Sequence, residues 1–191
     1  MEIGLYFGSF NPIHVGHLVI ANYILEKTTI DELWFVISPQ NPLKEKTTLL
    51  DDYQRLHMVE LAIDDFPHLR TSSVELSLPQ QSYTVQTLAH LYDKYPQHTF
   101  SLIMGGDNIQ SIHKWKNYQR IIENYKIYVY PRPGFVMPQD LDGNPNIEIV
   151  NAPLMEISSS MIREWIRQGR NIQGFMPSAA WQYLDEMNFY K

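Results

Sequence analysis

Short apolar runs alternate along this chain with longer segments of helical period, and that alternation limits the folds open to it. The runs are Ile3–Phe7, Leu33–Ile37, Phe100–Met104 and Ile127–Tyr130, with weaker strand-like stretches at Leu69–Leu76 and Ile147–Val150. Leu33-Trp34-Phe35-Val36-Ile37 lacks polar alternation, so it reads as a strand buried on both faces. Helical period runs from His17 to Leu25, from a cap at Asp51 or Asp52 to Ile63, over Val85–Leu91, and across Trp115 to Ile122. Two more helices are expected at 160–168, stopped by Gly169, and at 178–187, preceded by Pro177. Pro131–Pro145, rich in Pro, Gly and Asp, is the one long irregular loop. The pattern predicts one α/β domain over 1–191: a doubly wound, mainly parallel sheet with helices on both faces. Ligands in such sheets sit beyond the carboxyl ends of the strands, where the strand order reverses. Chemistry is therefore expected just after Phe7, Ile37, Met104 and Val150.

Composition narrows the chemistry. The 191 residues contain no cysteine, which removes disulfides, thiolate zinc sites and cysteine nucleophiles. Lys and Arg total 15 against 21 Asp and Glu, a net charge of −6, which argues against a nucleic-acid coat. A local pocket can still be basic on an acidic body, so small anions stay compatible. No targeting segment is visible, and no run approaches the roughly 20 apolar residues that span a bilayer. A cytoplasmic protein with neither nucleic-acid nor membrane partners is expected.

Two segments stand out. The first, between strand and helix, is Gly8-Ser9-Phe10-Asn11-Pro12-Ile13-His14-Val15-Gly16-His17. Gly8 permits a sharp turn and close backbone approach to a ligand. His14 and His17, three apart, fall on one side of a helix start, with Gly16 leaving space between them. A helix N-terminus with two imidazoles suits phosphate; ordinary surface or core histidines fit the same spacing. No zinc-like third ligand adjoins them. Neither a P-loop nor a Gly-x-Gly-x-x-Gly pattern occurs, so phosphate binding here is of another type.

The second segment, Ile157-Ser158-Ser159-Ser160-Met161-Ile162-Arg163, opens the helix after the last strand. Its hydroxyls, free amides and planar cation make an anion clamp, although plain N-capping explains the serines equally well.

The pair Gly-Ser-Phe-Asn-Pro-x-His-x-Gly-His and Ile-Ser-Ser-Ser-x-x-Arg resembles the nucleotidyltransferase superfamily with a His-x-Gly-His signature. Within it, the chain resembles the bacterial nicotinate-nucleotide adenylyltransferases over essentially its whole length. The resemblance implies a Rossmann-like fold and adenylyl transfer from ATP to nicotinate mononucleotide, giving deamido-NAD and pyrophosphate. It implies Mg²⁺ held mainly by phosphates and water, with no protein metal site, and leaves a homo-oligomer open. His14, His17 and Arg163 would be catalytic. Gly8, Ser9, Phe10, Asn11, Lys44, Gly105, Asp107, Ile157, Ser158 and Ser159 would bind ATP, and helices 160–168 and 178–187 would complete that site. Tyr83, Thr84 and Trp115 would bind the acceptor, the tryptophan by stacking on the pyridine ring and the others by backbone contact from Ser82-Tyr83-Thr84.

The same residues have plainer readings. Trp115 also fits a helix-face core position, and Tyr83-Thr84 a simple helix start. Many family members have Pro-His-Lys where this chain has Pro42-Leu43-Lys44, and Asn11 stands where the wider superfamily often has Asp. Arg55 reads as a structural ion-pairing residue. Another acceptor (nicotinamide mononucleotide or phosphopantetheine) or a non-catalytic nucleotide sensor are the competing functions.

Overall fold

The computed structural model describes residues 1–39, 49–79 and 83–191. Lys44, Leu43 and Ser82 lie outside the described residues. Six strands form one sheet: β1 (Glu2–Gly8), β2 (Glu32–Ile37), β3 (Leu69–Ser72), β4 (Thr99–Gly105), β5 (Lys126–Tyr130) and β6 (Ile147–Ile149). Their order is β3-β2-β1-β4-β5-β6, and every pairing is parallel. The expected doubly wound parallel sheet is the one observed.

Helices cover both faces. α1 (Val15–Lys27), α2 (Asp52–Ile63), α7 (Ser159–Arg167) and α8 (Ser178–Glu186) enclose one core, where Ile20, Ile24, Met58, Val59, Ile162 and Leu184 are buried. The opposite face buries Leu88 and Leu91 of α4 (Thr84–Lys94), Ile109 of α5 (Gly106–Gln110) and Ile121 of α6 (Tyr118–Asn124). With cores on both faces, inner strands are apolar throughout: Leu33, Phe35, Val36 and Ile37 of β2 are all fully buried.

Two elements differ from their expected form. Strand β3 stops at Ser72 rather than Leu76, and α3 (Val74–Ser77) follows. Serine hydroxyls cause the switch: Ser72 Oγ accepts from Val74 N at 3.4 Å, and Ser77 Oγ donates to the Val74 carbonyl at 2.8 Å. The helix expected around Trp115 is broken as well. Ser111 Oγ turns back onto the carbonyls of Asp107 and Asn108 at 3.1 and 3.2 Å, ending α5. A single 3₁₀ turn (Ile112–Lys114) follows, then Trp115 in extended conformation and Asn117 in the left-handed region (φ 54°) before α6.

Strands β1 and β4 lie side by side, but the chain leaves them towards opposite edges of the sheet. The carboxyl ends of β1 and β4 therefore flank the crevice where this topology binds ligands. Gly8 ends β1 and Gly105 ends β4, so two of the expected site segments open there.

Candidate active site

The loop after β1 is built before any ligand meets it. Phe10 is buried with φ of 43°, a strained setting for a bulky residue, and its ring packs edge-on against Tyr6, Phe35 and His17. A Cβ added to Gly8 would lie 2.8 Å from the Phe10 ring. The glycine thus makes room for that phenylalanine, and with its ring buried Phe10 can offer a ligand only its backbone.

His14 caps α1 and His17 lies in its first turn. Their rings stack with centroids 3.7 Å apart and planes 26° from parallel. The stack needs Gly16, where a Cβ would come within 3.0 Å of His14 Nδ1. The His14 amide donates to His17 Nδ1 at 3.2 Å. An accepting Nδ1 leaves the proton of a neutral His17 on Nε2, making that nitrogen a donor. Burial lowers the His14 pKa to about 3, with Arg132 adding to the effect. Burial, then His14, then Arg132 hold His17 well below its ordinary value. Both imidazoles are therefore neutral at pH 7. The standing positive charge comes from arginines, not from histidines.

The second motif closes onto the first. Ser158 caps α7, accepting from Met161 N at 3.2 Å. Ser159 Oγ donates to the Pro12 carbonyl at 2.8 Å, and Arg163 Nη1 donates to the Asn11 carbonyl at 2.6 Å. Arg163 Nη2 also donates to Ser160 Oγ at 3.2 Å. Ile157 packs on the core beneath. With the Ser159 proton spent on Pro12 and Ser158 Oγ only accepting, anion contacts from α7 fall to its first backbone amides, the Ser158 O–H and Arg163. Asn11 is buried and structural in its side-chain carbonyl, which accepts from Leu50 N at 3.2 Å and from the Tyr190 hydroxyl.

Arg55 fastens the loops from beneath. It is completely buried, ion-paired with Asp52, and donates to the carbonyls of Ser9 (2.5 Å), Ser38 (3.0 Å) and Leu50 (3.1 Å). The structural reading of Arg55 fits these contacts.

Arg132 is the residue that sequence reasoning missed. It follows β5 by two positions, on the same carboxyl edge, and its field bears on both His14 and His17. Its guanidinium lies 5.4 Å from the Tyr130 ring centroid, and Nε stands 3.8 Å from Asp107 Oδ1. The signal was a lone arginine in Pro131-Arg132-Pro133 directly after a strand, hidden by treating the whole stretch as loop. Three of the buried polar atoms without a hydrogen-bond partner among the described residues belong to side chains of these segments: His14 Nδ1, Arg132 Nε and Arg163 Nε. Such atoms are costly to leave unpaired and mark where a ligand's oxygens would be stabilising.

Asp107 begins α5 with its carboxylate largely exposed. Tyr83 caps α4 and Thr84 starts it; the Lys116 ammonium lies 4.3 Å from the Tyr83 ring centroid. That contact ties the start of α4 to the turn carrying Trp115, whose ring is half-buried against the second core.

A cytidylyltransferase-like family model matches residues 5–165. A probable nicotinate-nucleotide adenylyltransferase of Flavobacterium psychrophilum is 55% identical over 192 residues, covering 100% of each chain. A probable enzyme of the same name from Bacteroides thetaiotaomicron is 43% identical, covering 97% of this chain and 92% of the relative. Among solved structures, Plasmodium falciparum nicotinic acid mononucleotide adenylyltransferase complexed with NaAD shares the fold. Its TM-score is 0.84 at 23% identity, covering 99% of this chain and 97% of that one. Full-length identity at this level, together with the two motif segments meeting at one crevice, makes the chain a member of the nicotinate-nucleotide adenylyltransferase family.

Proposed function

We propose that this chain transfers the adenylyl group of ATP to nicotinate mononucleotide, giving deamido-NAD and pyrophosphate. The reaction is an in-line attack of the acceptor's 5′-phosphate on the α-phosphorus. The observation that carries the reading is the closure of α7 onto the first loop through Ser159 and Arg163, at the reversal of strand order.

The attacking phosphate, with a second pKa of about 6, is already largely ionised at neutral pH. It needs no general base, so neutral histidines are no handicap. What the protein must supply is alignment, with donors aimed at the charge that develops on the transferred group. Nε2–H of His17 and the α7 amides donate, while Arg132 and Arg163 provide fixed charge. A phosphate beside the stacked imidazoles raises their pKa and offsets part of the burial effect. His14, His17 and Arg163 serve the reacting phosphates. Asp107 with Gly105, and the backbone of Gly8–Asn11, Ile157 and Ser158, frame ATP; Lys44 belongs to this set by resemblance. Tyr83, Thr84 and Trp115 receive the nicotinate end. One domain, with α7, α8 and Tyr190 completing the ATP side through Asn11, fits these contacts.

The donor set fits magnesium held by phosphate. The unpartnered buried Arg132 and Arg163 nitrogens suit phosphate oxygens, through which the ion would be held. Asp107 is the carboxylate that would meet the ion's water shell. When bound, Mg²⁺ neutralises and orients the triphosphate. Among the described residues no helix is long and apolar enough to cross a membrane. A cytoplasmic location suits the nucleotide substrates.

The test is pyrophosphate release from ATP and Mg²⁺ with either nicotinate or nicotinamide mononucleotide as acceptor. Turnover with a clear preference for the acid form is expected. No turnover with either acceptor removes the reading, and equal rates remove the preference for the acid.

A further inference from the structure

Glu75 is a buried carboxylate that the chemistry above leaves unused. It lies on α3, is 7% exposed, and each of its oxygens takes one hydroxyl. Ser38 Oγ donates to Oε2 at 2.7 Å, and Thr87 Oγ1 donates to Oε1 at 2.8 Å. Among the described residues no cation pairs with it. Burial pushes its carboxyl up, and the two hydroxyls oppose the shift. Burying a carboxylate without a cation is costly, and a leucine at this site would carry no such cost. The explanation must lie in what the two bonds hold together.

They join the end of β2 to the first turn of α4. Ser38 directly follows β2, and its carbonyl accepts from Arg55 Nη1, the nitrogen that also donates to Ser9 in the first loop. A continuous path of directional bonds thus runs Ser9–Arg55–Ser38–Glu75–Thr87. It links the phosphate loop to the helix that starts with Thr84. The apolar contacts of Leu88 and Leu91 press α4 onto the sheet but do not fix its position along it. Gln86 Oε1 accepts from Tyr83 N at 3.1 Å, so the helix start is defined internally. Glu75 adds a hydrogen-bonded link between that helix and the first loop.

We infer that Glu75 is a positioning residue for the acceptor, holding α4, and with it the Tyr83–Thr84 backbone, in register with the phosphate loop. The inference rests on the reading that Tyr83 and Thr84 meet the acceptor. A misplacement of about 1 Å at a substrate contact can cost on the order of 100-fold, so the effect is within kinetic reach.

The experiment compares Glu75→Ala, Glu75→Gln and Thr87→Val in steady-state kinetics for each substrate, with Tm alongside. Glu75→Ala should raise KM for nicotinate mononucleotide by about ten-fold or more and leave KM for ATP within about two-fold. Glu75→Gln can accept from one hydroxyl and donate to the other, so it should return to within about three-fold of the native value. Thr87→Val removes one hydroxyl at nearly constant volume and should shift the acceptor KM in the same direction; it carries the test if Glu75→Ala does not fold. Equal changes in both KM values, or a lower Tm with both unchanged, overturn the inference. Trp115→Ala separates the two failures. If it raises the acceptor KM while the Glu75 and Thr87 variants do not, the positioning role alone is wrong. If none of the three positions matters, the acceptor-site reading falls with it.

Discussion

His14 and His17 meet the proposed phosphates as neutral rings, without histidine charge carried in advance. Burial holds both rings neutral, with Arg132 adding to the effect at each and His14 adding to it at His17, and the backbone bond to His17 Nδ1 sets which nitrogen donates. The arrangement has a consequence for stability. An unfolded histidine titrates near 6.5, whereas folded His14 titrates at about 3. Between those values the unfolded chain binds a proton that the folded chain refuses. The stabilising contribution is thus complete above about pH 6.5 and drains away as pH falls towards 3. His14 adds a slope approaching about 1.4 kcal/mol per pH unit in that window, and His17 acts in the same direction. Urea unfolding of the ligand-free protein at pH 7, 6 and 5 should show a progressive loss of stability, flattened in His14→Asn. Equal stability at pH 7 and 5 would contradict the neutral, buried imidazole.

At the scale of elements, Arg55 binds the loops after β1 and β2 to the start of α2. Its removal would leave the Ser9, Ser38 and Leu50 carbonyls without their donor and Asp52 without its cation. Arg55→Ala should cost about 3–5 kcal/mol, the range for breaking a buried pair. Arg55→Lys should recover little, because one ammonium cannot reproduce the fork. Thermal unfolding reads both, and a Tm within a few degrees of native in either variant would refute the role.

The same elements show why some of the fold was legible and some was not. Strands β1, β2, β4 and β5 could be read because burial on both faces imposes unbroken apolar runs, as in Leu33–Ile37. α3 and the break before Trp115 escaped because they depend on serine hydroxyls choosing local backbone over helix or strand, which periodicity does not register. His14, His17 and Arg163 were visible as a motif pair. Arg132 and Glu75 were not, since each gains its meaning from neighbours far off in sequence: the stacked histidines for one, Ser38 and Thr87 for the other.

For the whole molecule, a net charge of −6 is compatible with the proposed phosphate site because Arg132 and Arg163 place positive charge at one sheet edge. A metal held through phosphate rather than by the fold should separate two properties usually lost together in metalloproteins. Chelation by EDTA should stop turnover yet leave the Tm of the ligand-free protein within about 1 °C, since an ion held only through the triphosphate, as proposed, has no part in folding. A drop of several degrees would point to a structural ion.

Whether both ends of the chain act as one site is tested most directly by a double-mutant cycle on His17 and Arg163, read as kcat/KM for pyrophosphate release. Removing one preorganised donor typically costs about 10²–10³ in rate. His17→Ala and Arg163→Ala should each show such a loss. The double variant should fall well short of their product, because the two groups serve one transition state. Native turnover in either single variant, or losses that multiply independently, would contradict a single site assembled from the first loop and α7.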